Sequence, residues 1–249
     1  MLGSRLASWA SEWWGVQEGG NFEQGASVLW REHAPETVAE RLRVDLAVLE
    51  PAIGVARGKL LAARTRRTRP ATDDKVLASW NGLMVSALAQ ASQVLDEERF
   101  GVMAVRAMRF LLGHMRTVDG RLFATARVGR ARQAGTLADY VYVIQALVDL
   151  YEMDFDAQWI KAALELSQLV SRHFADLARG GYFDTPDDHE ALFARLATTQ
   201  DGALPSPAGM HVLNLLRLAE LTGESALAKE AEQALLSQGG ALNLHPALY

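Results

Sequence analysis

The chain has no cysteine, which excludes disulfides, thiolate metal sites and a cysteine nucleophile. It has no apolar run of membrane-spanning length. It carries no excess of positive charge; the net charge is −5 with 22% charged residues, so nothing global points to nucleic acid. Its 6 histidines show no metal-ligand spacing, and no metal site or cofactor is expected. No nucleophile elbow surrounds Ser206, and the glycine-rich pieces do not form a phosphate loop. The opening "MLGSRLASWASEWWG" has no continuous apolar core or clear cleavage site and does not read as a signal peptide. A cytoplasmic location is the expectation.

What the chain does have is apolar content, 49% of 249 residues, and helical periodicity. The clearest helix spans 137–151, where Leu137, Tyr140, Val141, Ile144, Leu147, Val148 and Tyr151 share one face. Thr136 and Asp139 form a capping box at its start. Further helices are predicted at 35–49, 52–67, 80–95, 98–115, 156–175, 208–222 and 224–237. They come in pairs joined by short polar turns (Asp96–Glu98, Met153–Asp156, Thr222–Glu224), with weak self-similarity at a period of about 60–70 residues. Connections between pairs are longer, and 119–129 and 180–196 read as β-hairpins. Arg57, Lys59, Arg64, Arg66, Arg67 and Arg69 crowd one segment, read as a solvated helix face or a partner groove rather than a nucleic-acid patch, because no aromatics interleave with these charges.

In such a series the first helices of all pairs run parallel, so their N-termini gather at one loop-rich end with unpaired N–H groups and partial positive charge. The first entrance carries Asp73, Asp74, Lys75, Trp80 and Asn81. The second carries Asp139 and Tyr140, the third Asp201, Ser206 and His211. A glycine-rich loop of the same character supplies Glu18 and Asn21. Carboxylates with aromatic faces suit a carbohydrate: acids bind hydroxyls or act as acid and base, and rings stack on sugar C–H surfaces. Asp73, Asp74, Asp139 and Asp201 are the candidate acids. Glu18, Asn21, Lys75, Trp80, Asn81, Tyr140 and Ser206 are the candidate binding residues. Each also has a purely structural reading: Asp139 as a capping acid, Asp73 or Asp74 as an N-cap, Trp80 as core, Asp201 as a turn residue, His211 as a packed side chain.

The segments "GVQEGGNFEQGASVLW", "RTRPATDDKVLASWNGLM", "TLADYVYVIQALVDLYEMDFDAQWIKAA", "FADLARGGYFDT" and "DGALPSPAG" resemble, in this order, the thioredoxin-domain-containing, spermatogenesis-associated proteins and their bacterial relatives. The resemblance implies an all-α fold, an (α/α)6 toroid of the six-hairpin glycosidase type similar to sugar 2-epimerases, preceded in the family by a thioredoxin-like domain. The helix count implies a partial toroid: one domain over 1–249, with an irregular tail at 239–249. Pro207-Ala208 stands where the family has Gly-Asn. The expected activity is sugar binding or processing; the alternative is a non-catalytic scaffold working with the thioredoxin-like domain, or a degenerate fragment. Expected partners are a carbohydrate, the thioredoxin-like domain, or a second copy at the exposed toroid edge, and neither nucleic acid nor a membrane.

Overall fold

In the computed structural model, which describes residues 1–190 and 193–244, the chain divides into two compact units, Met1–Asp73 and Asp74–Tyr249. The first holds α1 (Ser4–Trp13), α2 (Pro35–Leu42) and α3 (Leu46–Thr65). Trp13, Val38, Ala39, Leu49 and Ile53 form its core, with Trp9, Trp14 and Leu42 packed against them. The helix expected over 35–49 breaks at Arg43, which adopts a left-handed φ of 52°. Asp45 then caps α3 by accepting from the Ala47 N–H at 2.8 Å. Pro51 lies inside α3 instead of separating two helices.

The second unit contains three helical hairpins: α4 (Ala78–Leu95) with α5 (Glu98–His114), α6 (Leu137–Asp154) with α7 (Ala157–His173), and α8 (Pro207–Thr222) with α9 (Ser225–Leu244). α6 packs between α4 and α8 and against α7. Twelve of its eighteen residues are buried, so the single apolar face read from periodicity is in fact a helix enclosed on nearly all sides. Helix α9 is regular to Leu244, where an irregular tail was expected from 239; residues 245–249 lie outside the described residues.

A small antiparallel sheet, β1 (Val76–Leu77), β2 (Phe123–Arg127) and β3 (Arg130–Ala134), lies in the order β1-β2-β3. The hairpin read at 119–129 is thus displaced: its turn is Val128-Gly129, and the return strand follows it. The second expected hairpin, 180–196, contains no strand among the described residues, and Ala191 and Leu192 lie outside them. That segment is pinned by side chains. Asp184 accepts from the Thr198 N–H (3.0 Å) and hydroxyl (2.7 Å), and Arg195 donates to the carbonyl oxygens of His173 and Thr185.

Candidate functional site

Hydrogen bonds between the inner helices fix their direction. Positions 79, 86 and 90 of α4 meet 139 and 149 of α6, increasing together. Tyr142 of α6 donates to the Pro205 carbonyl (2.6 Å) just before α8, and Arg217 of α8 reaches Asp149 (2.6 Å). The three first helices are therefore parallel, and their entrances share one rim.

Asp139 joins two of these entrances. One carboxylate oxygen accepts from the Thr136 N–H (2.8 Å) and hydroxyl (3.0 Å), completing the capping box of α6. The other accepts from the Ser79 N–H (3.0 Å), a first-turn donor of α4. Burial leaves the group 4% exposed and raises its pKa, with the hydrogen bonds from Thr136 and Ser79 opposing that rise. Tyr140 offers no stacking surface. It is 1% exposed, its hydroxyl accepts from the Leu122 N–H at 3.0 Å, and its ring tilts against Phe174.

Trp80 is the opposite case: it is 63% exposed on the first turn of α4, so the core reading fails for it. Asn81 donates from its side chain to the Leu77 carbonyl (2.8 Å) and holds the helix start. Gly82 explains the next position of the string. A Cβ there would lie 2.7 Å from the backbone carbonyl of Tyr142, so the glycine lets α4 approach the α6 main chain directly. Asp74 is exposed and ion-paired with Arg127 (2.5 Å). Lys75 is exposed beside it.

At the third entrance Asp201 accepts from the Ser206 N–H (2.7 Å), and Ser206, 4% exposed, caps α8 by accepting from the Gly209 N–H (3.0 Å). Pro207 occupies the first helical position, where its missing N–H costs nothing. A cavity of about 290 Å3 opens here, lined by Tyr182, Asp201, Ser206, Met210, Leu213 and Leu235 among others. His211 is fully buried, edge-on to the Tyr182 ring, and neither ring nitrogen has a partner among the described residues. Burial lowers its pKa to about 3, so it stands as a packed neutral imidazole.

Glu18, Asn21 and Asp73 belong to the first unit. Asn21 closes its own loop, donating to the Val28 carbonyl (3.0 Å) and accepting from the Val28 N–H (2.7 Å). Glu18 and Asp73 are exposed.

Two clusters escaped the sequence reading. Asp149, 2% exposed, accepts from Ser86, Gln90 and Arg217, and Arg217 also pairs with Glu152 (2.9 Å). The apolar spacing of 137–151 hides this acid because it falls between core positions. His173, Asp187 and Asp188 bring ligand atoms within 4.8 Å of one another. They are already matched: His173 holds Asp187 (2.8 Å), and Arg121 grips both oxygens of Asp188, depressing its pKa to about 2. A guanidinium at that position opposes a cation.

No protein-family model matches the sequence. Human spermatogenesis-associated protein 20 is 35% identical over 229 residues, and the rat protein 34% over the same length. This chain is a homologue of spermatogenesis-associated protein 20. The match covers 84% of the chain but only 29% of either relative. Among solved structures, a GH76 α-mannanase of Bacteroides thetaiotaomicron is similar at a TM-score of 0.56 and 16% identity, covering 70% of this chain and 48% of that one. Cellobiose 2-epimerase of Spirochaeta thermophila gives 0.54 and 16%, covering 66% and 43%. An inactive α-1,6-mannanase variant of a Salegentibacter species, with two aspartates replaced by alanine and bound to α-1,6-mannotetrose, gives 0.53 and 12%, covering 95% and 69%. The fold is thus similar, over part of its circuit, to the helical toroids of these mannanase and epimerase structures.

Proposed function

We propose that this chain is the carbohydrate-recognising portion of a larger toroid protein, and that a sugar lies on the rim shared by the entrances of α4, α6 and α8. The observation that carries this reading is Trp80, an indole 63% exposed on the first helical turn at that rim. An exposed indole face suits the C–H surface of a sugar, and Asp74 before α4 and Asp201 before α8 offer oxygens to hydroxyl groups. Asp139 and Tyr140 hold the rim in shape and do not touch the ligand. The neighbours named for mannanase and epimerase activity support sugar as the ligand class, and one of them loses activity with two aspartates replaced. In this chain Asp74, at the approach to α4, would act on the ligand if chemistry follows binding.

A second reading, recognition of a protein partner without catalysis, is favoured by one observation. Asp74, Asp139 and Asp201 each already accept from the chain's own donors. Its partner would be a thioredoxin-like domain or a second copy.

Calorimetric titration with mannose, mannobiose and cellobiose separates the two. Sugar binding at millimolar concentration, weakened about tenfold by Trp80→Ala, is the expected result. No heat with any sugar, or affinity unchanged in Trp80→Ala, overturns the first reading. Asp74→Asn tests whether the acid contributes to binding or only pairs with Arg127.

A further inference from the structure

One face of the small sheet is strongly basic. Successive strand residues alternate between faces. Ala126 and Ala131 turn toward the core, so Thr125, Arg127, Arg130 and Arg132 turn away from it. In the register, Arg127 stands directly opposite Arg130, and Thr125 opposite Arg132. With Lys75 these residues line a groove of about 780 Å3, a size that suits a small ligand. Two like charges directly opposite one another destabilise a sheet unless something offsets them. Asp74 offsets Arg127. The side chains of Arg130 and Arg132 make no hydrogen bond or ion pair among the described residues. This concentration of cations occurs in a chain whose net charge is −5, so composition does not account for it.

The groove adjoins the rim. Asp74 ties Arg127 to the approach to α4, Lys75 lines the groove, and Trp80 follows within the first turn of that helix. We infer that the groove holds the anionic group of an acidic sugar, a phosphate or a carboxylate, while its ring lies toward Trp80. This inference rests on the sugar-binding reading and narrows it. Arginine suits the role because its planar fork presents paired donors to phosphate or carboxylate oxygens.

The test titrates the whole chain with mannose, mannose 6-phosphate, glucuronate and inorganic phosphate, and repeats the series with the exposed double variant Arg130→Gln/Arg132→Gln. Circular dichroism checks that the variant folds. At least one acidic sugar should bind about tenfold more tightly than mannose, and the variant should lose that preference. Raising ionic strength from about 0.01 M to about 0.1 M should weaken the acidic sugar and leave mannose unaffected. Whichever acidic sugar binds tells phosphate from carboxylate. Equal affinity for mannose and the acidic sugars, or a preference that survives in the variant, overturns this inference and leaves sugar binding standing. Arginine-dependent binding of inorganic phosphate as tight as that of mannose 6-phosphate, with no response to mannose, overturns the sugar-binding reading and the ring placement together. No binding of any probe overturns both.

Discussion

At the scale of single residues, Gly82 and Asp139 set how α4 meets α6 at the rim. Gly82 sits where any Cβ would press on the Tyr142 main chain, so Gly82→Ala should destabilise the second unit by about 1–3 kcal/mol despite alanine's better helix propensity. Thermal unfolding checks this; an unchanged or raised midpoint would refute the close-approach argument. His211 has the opposite chemistry, a titratable group held neutral. Its folded pKa of about 3 lies below the ordinary 6.5, so the unfolded chain binds more protons between those values. The His211 contribution is therefore intact above about pH 6.5 and is lost as pH falls toward 3, with a slope of at most about 1.4 kcal/mol per pH unit. Denaturant titrations across that window should show a shallower slope in His211→Phe than in the parent. Local spacing made the Thr136–Asp139 capping box legible in the sequence, because both partners lie within one helical turn. The Ser79 bond to the same carboxylate was not legible, since its partner is 60 residues away. Tyr140, expected as a stacking surface, is 1% exposed: periodicity marks a face but not which rings the neighbouring segments cover.

At the scale of elements, the helices of the second unit were legible to within about three residues except for the end of α9, which runs seven residues past the expected 237, because each carries a sustained apolar repeat and a short polar turn. The strands were not. The β2–β3 hairpin turns at Val128-Gly129, with φ of 49° and 70°, and lacks the Asn-Gly pair that usually announces such a turn. A β-branched residue in the left-handed region is strained. Val128→Asn should therefore stabilise the hairpin by about 1 kcal/mol and raise the melting temperature by a few degrees. A lower melting temperature would count against strain at this tip. In the first unit, α3 runs through Pro51, which lies in the gap between the expected helices 35–49 and 52–67. The true break came earlier, at Arg43, a position with no glycine or proline to mark it.

At the scale of the whole chain, residues 66–75 are exposed and outside helix and strand, and two compact units lie on either side of Asp73. Limited trypsin treatment should cut first after Arg66 and Arg67, and a fragment extending from there through the second unit should accumulate. Initial cleavage elsewhere would argue against the division. Within the second unit the hairpins are not independent repeats. The amide proton of Ser79 ends on a carboxylate that belongs to the next hairpin. In heavy water that amide should hold its proton until α4 and α6 part company, so its exchange clock reports the splitting of the toroid wall, while neighbouring amides that lack such a distant anchor report only the fraying of α4.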